Sequence, residues 1–479
     1  MLKTLRNAIV AVAFTGMGLA AQDSRPDVLF IAVDDLNDWV GVLGGHPQAS
    51  TPHIDALARR GTVFTNAHCT APGCAPSRAS LLTGVRPSTS GVYSNDHDWR
   101  ECEELRSAVT LPLHFKQSGY RTIGAGKIFH GHTLSTAAMT GHSQPEAWHD
   151  YFPSLTRQLL ADVKPKGWPV RTTSTMYGGL FDWSPMAIRD DEMADGQVVA
   201  WAENALSADR TAGDPPMFLA VGIYRPHVPW YVPQEYFDRF PLDEVRLPKT
   251  GVDDLGDIPD AGRERTFDDW HEWIVENDEW QRAVQGYLAS IAFADALVGR
   301  LMRALDASPR AENTVVVLWG DHGYHVGEKR HWEKFALWED TTHVPLIVID
   351  PRQAGRAGQV CREPVSLLDL YPTLLGLCGL EAPPQALEGQ SLEPQLADPE
   401  KDTARCVVTT HGMGNHAVRG DRYRYIRYRD GSEELYDHEQ DPHEWRNVAD
   451  DPELAAVKES LAEWLPKVDA PPMSDGDQK

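Results

Sequence analysis

The stretch "DVLFIAVDD", residues 27 to 35, decides the fold of this chain, because six consecutive apolar residues are followed at once by two aspartates. Apolarity that is continuous rather than alternating is typical of a strand covered on both faces, as in a parallel sheet. Similar short runs recur along the chain: "YRTIGAG" (120–126), "PMFLAVG" (216–222), "NTVVVLWG" (313–320) and "HVPLIVID" (343–350). These runs predict a central sheet that is mainly parallel.

Helical patterns separate the apolar runs. The clearest pattern lies within residues 286–305, where apolar side chains recur every three or four positions: Leu288, Ile291, Ala294, Val298, Leu301 and Leu305. An alternation of buried strands with amphipathic helices predicts an α/β doubly wound domain. Ligands in such folds bind at the carboxyl edge of the sheet.

Charged and imidazole side chains follow four of the apolar runs. They are Asp34 and Asp35 after the first run, Lys127 and His130 after the second, Arg225 and His227 after the third, and Asp321 and His322 after the fourth. Because the carboxyl ends of parallel strands share one edge, we expect these groups to meet in one crevice. Each of them alone has an ordinary alternative, as a helix cap or as a solvated loop residue.

The composition excludes several classes of partner. The formal charge of the chain is −25, so nucleic acid and anionic membrane surfaces are not expected to bind it. Lys3 and Arg6 precede an uncharged apolar run over 8–20 and small residues at 20 and 21, which is typical of a signal peptide over residues 1–21. We therefore expect a periplasmic or secreted protein without stable membrane insertion. The sequence makes no prediction about its oligomeric state.

A proline-rich and acidic segment over 381–404 indicates a connection between two parts of the chain. Beyond it, "YRYIRY" (423–428), a turn at Asp430 and Gly431, and "EELY" (433–436) predict an antiparallel hairpin. We therefore expect a main domain over residues 22–399 and a small α+β subdomain with a short antiparallel sheet over residues 400–479.

The aspartates and the histidine at two of the strand ends point to a cation. Asp34, Asp35, Asp321 and His322 would repel one another around one point unless a positive ion lay among them. Three carboxylates favour a hard divalent ion, Ca²⁺ with Mg²⁺ as the alternative, over zinc. A single imidazole is unusual in a Ca²⁺ site.

Cys74 stands at a predicted helix start. Pro76 suits the first turn of a helix whose apolar pattern ends at Gly84. The N–H groups and the dipole of a helix N-terminus favour an anion, and Arg78 lies one turn further along. These residues are compatible with an activated thiolate, with a residue that binds an oxyanion while acting on it, or with a disulfide to Cys69.

The stretch "CAPSRASLLTGVR", residues 74–86, resembles the signature of the type I sulfatase family, C-x-P-S-R followed by L-T-G-x-R. Further segments resemble the same family over roughly residues 26–450, among them "PDVLFIAVDDLNDW", "GKIFH", "RPHVPW", "GDHGYHVGEKRHWEK" and "ELYDHEQDPHEWRN". The chain is most similar to the iduronate-2-sulfatase branch, because of "DDLNDW", "GKIFH", "RPHVP" and a histidine at position 322.

This resemblance implies an alkaline-phosphatase-like fold and an enzyme that hydrolyses sulfate esters of a sulfated carbohydrate. It implies that a dedicated maturation enzyme converts Cys74 to Cα-formylglycine (3-oxoalanine), whose hydrate attacks sulfur. The family's positions also imply the remaining roles: Asp34, Asp35, Asp321 and His322 as metal ligands, Arg78 and Lys127 around the hydrate, His130 as the base, and His227 and Lys334 at the sulfate and the leaving oxygen.

One departure from the branch bears on the substrate. Lys329, Arg330 and His331 precede Trp332, where that branch has histidine and glycine. The added positive charge predicts a subsite in which Lys329 and Arg330 bind a carboxylate or a second sulfate, with an exposed loop as the alternative. Two other functions stay open: hydrolysis of phosphate or phosphonate esters on the same fold, and binding of a sulfated glycan without catalysis.

Overall fold

The computed structural model describes residues 25–130, 144–154, 164–171, 176, 179–209, 211 and 213–473. The predicted signal peptide over 1–21 lies outside the described residues. The strands are β1 (Asp27–Val33), β2 (Thr62–Phe64), β3 (Ala67–His68), β4 (Arg121–Gly126), β5 (Asp150–Phe152), β6 (Trp183–Met186), β7 (Met217–Ile223), β8 (Trp230–Pro233), β9 (Thr314–Gly320), β10 (His325–Val326), β11 (Trp332–Glu333), β12 (Leu346–Ile349), β13 (Gln359–Cys361), β14 (Val365–Ser366), β15 (Val407–Thr410), β16 (His416–Arg419), β17 (Tyr423–Arg427) and β18 (Glu433–Asp437).

The α-helices of the described residues are α1 (Pro52–Ala58), α2 (Cys74–Thr83), α3 (Pro87–Ser90), α4 (Leu111–Gln117), α5 (Ala194–Ser207), α6 (Gln234–Phe237), α7 (Asp260–Arg263), α8 (Asp268–Glu276), α9 (Trp280–Asp306), α10 (Glu339–Thr342), α11 (Leu370–Cys378), α12 (Glu393–Ala397) and α13 (Ala455–Ala462). The helical pattern over 286–305 is confirmed, because it lies within α9. None of the helices in these ranges is long and apolar enough to cross a bilayer.

An eight-stranded sheet forms the centre of the molecule, in the order β13-β2-β12-β9-β1-β7-β4-β5. All neighbouring pairs are parallel except those of β12, which runs antiparallel to both β9 and β2. The α/β class with a mainly parallel sheet is therefore confirmed. The run over 343–350 contributes only Leu346–Ile349 as a strand, and in the reverse direction.

Strand β1 shows why its run is apolar throughout. Leu29, Ile31 and Val33 pack into the core on one face of the sheet. Val28, Phe30 and Ala32 pack into a separate core on the other face. Helix layers on both faces therefore require apolar side chains at successive positions, as in a doubly wound fold.

A second, four-stranded antiparallel sheet lies near the C-terminus, in the order β15-β16-β17-β18. The predicted hairpin is confirmed, with Tyr423 opposite Asp437 and Arg427 opposite Glu433. Helix α13 follows in the chain and contacts β16 and β17. The division of the chain at residue 399 stays a prediction.

Four neighbouring parallel strands position the candidate site. Strands β9, β1, β7 and β4 are adjacent in the sheet and run in one direction, so their carboxyl ends form one edge. At this edge Asp34 and Asp35 directly follow β1, Lys127 directly follows β4 and Asp321 directly follows β9. Helix α2 presents its first residue, Cys74, to the same place.

Candidate active site

Helix α2 begins at Cys74, as the sequence predicts. Gly73 is extended before it, with φ −168° and ψ 142°, and Gly84 ends it in the left-handed region at φ 74°. The Cys74 side chain is fully buried. Its Sγ lies 3.3 Å from Nε2 of His322, 3.4 Å from Nζ of Lys334 and 3.9 Å from Oδ1 of Asp35. The cysteine therefore stands among the side chains of three separate segments.

Asp34 is held between two cations. Its Oδ1 accepts a hydrogen bond from Nη2 of Arg78 at 2.9 Å, and its Oδ2 accepts one from Nζ of Lys127 at 2.5 Å. Burial raises the pKa of Asp34, but Lys127 and Arg78 outweigh it and hold that pKa well below its usual value. Asp34 is therefore a permanent anion at the sheet edge.

Asp35 differs from its neighbour in its partners. Nζ of Lys334 donates to its two carboxylate oxygens at 2.8 and 3.1 Å. Burial raises the pKa of Asp35 to about 7, although Lys334 and His322 oppose the shift. The residue has φ 58°, an unusual value outside glycine, and Tyr287 fixes this turn by donating to the Asp35 carbonyl at 2.8 Å.

Asp321 and His322 complete the group at the end of β9. Oδ1 of Asp321 accepts from the backbone N–H of Asp35 at 3.0 Å, and Oδ2 accepts from Nε of Arg78 at 2.8 Å. Burial lowers the pKa of His322, but Asp321 and Cys74 outweigh it and raise that pKa to about 9. A proton on this imidazole is thus favoured while no other cation faces it.

The donor set fits a metal ion. Asp34, Asp35, Cys74 and His322 each offer one ligand atom, and these atoms all lie within 4.8 Å of one another. Burial raises the pKa of Asp35, and the nearby Asp34 and Cys74 raise it further, so a divalent ion among them would stabilise the ionised carboxylate. Three of the four predicted ligands belong to this set. Asp321, the fourth, lies beside it, with Oδ2 at 3.7 Å from Nε2 of His322.

Arg78 is the centre of the hydrogen-bond network under the site. Besides the two carboxylates, its Nη1 donates to the carbonyl oxygens of Lys127 at 2.5 Å and Ile128 at 3.0 Å. A guanidinium has five N–H donors, so these four bonds leave one for any ligand. Arg78 therefore mainly holds the carboxylates and the backbone of the site in position, and its predicted contact with the hydrate stays a prediction.

The two predicted histidines carry neutral rings. Burial and the charge of nearby lysines hold the pKa values of both His130 and His227 well below the usual value. Nδ1 of His227 lies 2.7 Å from the carbonyl oxygen of Val228, which can only accept, so Nδ1 carries the proton. Nε2 of His227 lies 3.9 Å from Oδ2 of Asp35. A neutral imidazole can accept a proton, but the lowered pKa makes His130 a weak base, so its role as the base stays a prediction.

All six cysteines, each in the described part of the chain, are free. Cys69 donates its thiol to the carbonyl oxygen of Thr341 at 3.7 Å, so the Cys69–Cys74 disulfide does not form in this structure. Burial raises the pKa of Cys74, but Lys127 and Lys334 outweigh it, so that pKa is lowered. Burial raises the pKa of Cys69 instead. The two thiols are thus electrostatically distinct.

Lys329 and Arg330 are paired with acidic side chains and do not join the side chains around Cys74. Nζ of the buried Lys329 donates to Oδ1 of Asp254 at 2.9 Å and to the carbonyl oxygen of Glu444. Arg330 pairs with Asp268 and Glu272 near the surface. Their role as a subsite stays a prediction, and the contacts of Lys329 are those of a structural ion pair.

Lys329→Ala decides between these two roles. Removing one partner of a buried pair leaves Asp254 uncompensated, so we expect the free energy of unfolding to fall by about 3–5 kcal/mol. Arg330→Ala is the matched control, because its pairs are exposed and worth less than about 1 kcal/mol. Urea unfolding measures both. A large rise in KM for an acidic oligosaccharide, with stability unchanged in Lys329→Ala, would instead establish the subsite.

Two supporting residues were not predicted from the sequence. Asn95 accepts the N–H of Ala75 at 2.9 Å, one of the unpaired donors of the α2 N-terminus. Tyr287 holds the Asp35 turn from helix α9. Asn95 lies in an irregular segment without a motif. Tyr287 lies within the predicted helix beside its apolar positions, which indicates burial but no partner.

Comparison with known proteins is consistent with this geometry. The family model described as Sulfatase matches residues 26–380, and the model of the C-terminal part of N-sulphoglucosamine sulphohydrolase matches residues 327–470. A sulfatase of Formosa agariphila is 39% identical over 465 residues, covering 93% of this chain and 87% of that protein. The human iduronate 2-sulfatase is 30% identical over 406 residues, covering 75% of this chain and 70% of that protein.

Among solved structures, the phosphonate monoester hydrolase of Agrobacterium radiobacter has a TM-score of 0.71 and 23% sequence identity. The match covers 92% of this chain and 94% of that one. At this level of identity the similarity describes the fold alone, and it confirms the alkaline-phosphatase-like architecture.

Proposed function

Because this chain belongs to the sulfatase family and is therefore a sulfuric ester hydrolase, we propose that it removes sulfate from a sulfated glycan through a Cα-formylglycine at Cys74. The observation that carries this proposal is the placement of Cys74 at the first position of α2, in contact with Lys334 and His322. A residue oxidised at this position would stand where cations from several strand ends converge.

The conversion of Cys74 would change the chemistry of the site. A dedicated maturation enzyme would replace the Cβ–S bond by a C=O bond in a two-electron oxidation. The aldehyde adds water and then carries two hydroxyl groups on one carbon. A cysteine thiolate would form a thiosulfate ester that needs a second difficult hydrolysis, whereas the hydrate can expel sulfate by breaking its own C–O bond.

In the first half of the reaction one hydrate hydroxyl group loses its proton to solvent and its oxygen bonds to sulfur, while the bond from sulfur to the glycan oxygen breaks. The leaving oxygen needs a proton. The proton of His227 is on Nδ1 and is donated to the carbonyl oxygen of Val228, so His227 cannot supply it to the leaving oxygen. We therefore propose that the ammonium group of Lys334 protonates the leaving oxygen. Lys127 lies at the same edge, where its positive charge stabilises the charge on sulfate.

The second half returns the site to its starting state. His130, whose ring is neutral, takes the proton of the second hydroxyl group. The bond between carbon and the sulfate oxygen then breaks, the aldehyde forms again and sulfate leaves. Water adds to the aldehyde and restores the hydrate, while His130 releases its proton to solvent and Lys334 takes one up.

Asp34, Asp35 and His322, with Asp321 beside them, would hold a divalent ion, for which Ca²⁺ is the first candidate and Mg²⁺ the second. When bound, such an ion supplies positive charge for the sulfate oxygens and lowers the pKa of an oxygen attached to it. The ionised Asp34, fixed by two cations, keeps its ligand oxygens in place for this purpose.

A sulfated carbohydrate is the proposed substrate class, with the 2-O-sulfate of a uronic acid as its first member. The human relative named iduronate 2-sulfatase supports this choice. The charge of −25 repels a polyanion at long range, so binding depends on the local cations of the site. We also propose that the protein is periplasmic or secreted, where extracellular polysaccharide is available.

Paired ester substrates test the proposed reaction. We expect kcat/KM for a sulfate monoester to exceed that for the matching phosphate monoester and phosphonate ester by about 100-fold, or ~2.7 kcal/mol. The phosphate carries one more negative charge towards Asp34 and Asp35. Defined 2-O-, 4-O- and 6-O-sulfated oligosaccharides then identify the position. Faster turnover of the phosphonate ester would replace the sulfatase proposal by the hydrolase that shares the fold.

A further inference from the structure

A second group of metal-ligating side chains lies in the hairpin before Lys334 and in helix α10. His325, Glu328 and Asp340 each offer one ligand atom, and these atoms lie within 4.8 Å of one another. Nδ1 of His325 is 3.7 Å from Oδ2 of Asp340 and 3.9 Å from Oε2 of Glu328. These separations are too long for hydrogen bonds, but ligands about 2.1 Å from one tetrahedral ion lie roughly 3.5 Å apart.

His325 is a fully buried polar side chain without a well-aligned hydrogen-bond partner among the described residues. In that part of the chain neither of its ring nitrogens makes a hydrogen bond of good geometry, although the backbone of Glu328 lies nearby. A buried polar group in this condition costs about 1–3 kcal/mol. Burial holds the pKa of His325 well below its usual value, so the ring is neutral, which is the form that binds metals.

The carboxylates of this group have no cation of their own. Among the described residues, His325 is the one basic side chain within ion-pair distance of Glu328 and Asp340, and its ring is neutral. Burial is the main cause that raises the pKa values of these two acids, and neighbouring carboxylates, including Asp38, raise them further. The buried Oδ1 of Asp38 has no hydrogen-bond partner among the described residues. Carboxyl groups are therefore crowded here in a buried place, where a bound cation would stabilise their ionised form.

The nearby cations are committed elsewhere. Lys329 donates to Asp254, and Arg419 and Arg424 pair with Glu339. His343 lies 4.0 Å from Asp38 and 3.9 Å from Glu339, with its other nitrogen 3.0 Å from the carbonyl oxygen of Thr65. None of these groups reaches the carboxylates of Glu328 and Asp340 as an ion pair.

We propose that His325, Glu328 and Asp340 bind a divalent transition-metal ion, Zn²⁺ above all, at a site that shares no ligand with the Cys74 group. One imidazole and two carboxylates form a donor set that Zn²⁺ accepts, with water at the remaining position. A cavity of about 720 Å³, bordered by Asp38, Glu328, Asp340 and His343, provides the entry path.

The position of this site gives it a structural purpose. His325 lies in β10 and pairs with Glu333 of β11, and Lys334 follows β11 directly. Asp340 lies in α10, beyond Lys334 in the chain. An ion shared by the two segments would brace the loop that delivers Lys334 to Asp35 and Cys74.

Metal content and thermal unfolding of the full chain test this site. After exhaustive dialysis against chelator, titration with ZnCl₂ alone is expected to raise the Tm of the wild type. His325→Gln and Asp340→Asn should lose that rise, and elemental analysis should find one metal equivalent fewer in each than in the wild type. Asp35→Asn, which affects the Cys74 group, should keep the rise.

His443→Gln is the matched control, because His443 borders the same cavity but belongs to neither group of ligands. It should bind zinc like the wild type. If His325→Gln fails to fold, Asp340→Asn decides alone, since Asp340 is only partly buried. Unchanged zinc content and an unchanged Tm rise in Asp340→Asn would overturn the proposal. The outcome is independent of turnover, so failure here leaves the proposed sulfatase reaction untouched.

Discussion

Cys74→Ala is expected to lower kcat by about 10⁴-fold or more, the scale at which removal of a nucleophile acts in covalent enzymes. Alanine has no sulfur to be oxidised, so no hydrate can form. The fold should persist, because the thiol makes only contacts of 3.3 to 3.9 Å and Lys334 keeps its bonds to Asp35. Turnover of a sulfate ester and circular dichroism measure the two quantities separately.

Cys69→Ala is the matched control, since Cys69 is equally buried and its thiol contacts only a backbone carbonyl group. It should retain activity. Mass spectrometry of the wild-type peptide that contains Cys74 should show the loss of one sulfur and two hydrogens and the gain of one oxygen. A fully active enzyme whose Cys74 peptide keeps the mass of cysteine would exclude the formylglycine mechanism.

Arg78→Met is expected to reduce the free energy of unfolding by about 3–5 kcal/mol and to abolish activity. The substitution preserves much of the side-chain volume but removes the bonds to Asp34 and Asp321, which stay buried. Asp34 would then keep only Lys127 from its ion pairs, and Asp321 would keep only the weaker contact with His322. Denaturant unfolding and ester hydrolysis are the measurements.

Arg60→Met provides the comparison on the surface. Arg60 pairs with Asp306 at 2.9 Å, but 42% and 50% of the two side chains are exposed. Water screens such a pair, so its loss should cost less than about 1 kcal/mol and leave activity unchanged. Equal losses of stability in the two variants would show that the Arg78 network does not hold the sheet edge together.

The fold was largely predictable because its signals are local. The continuous apolar run of β1 follows from burial on both faces, and the acids after it follow from the position of strand ends. The short strands β2, β5 and β13 of the central sheet were not predicted, and the direction of β12 also escaped prediction, because an apolar run has the same pattern in either direction. Strand direction depends on the connection between strands, which this pattern does not encode.

The role of the charged loop after His325 was not predictable from the sequence, because it depends on contacts between distant residues. Lys329 and Arg330 are positive in the sequence, but their partners Asp254 and Asp268 lie 75 and 62 positions away in the chain. Only the folded chain shows that these charges are already paired. The same holds for Tyr287, whose bond to the Asp35 carbonyl spans 252 positions. Long-range pairing decides which charged groups are available to a ligand.

The complete burial of Cys74 has a consequence for the order of events during biosynthesis. An enzyme that oxidises this side chain needs the segment in an open conformation, which the folded protein does not offer. The proposed conversion of Cys74 would therefore have to take place before this part of the chain folds. The sheet joins strands that are distant in sequence, such as β1 with β7 and β9, and such topologies fold slowly. Slow closure of the sheet would prolong the interval in which the nascent chain can be activated.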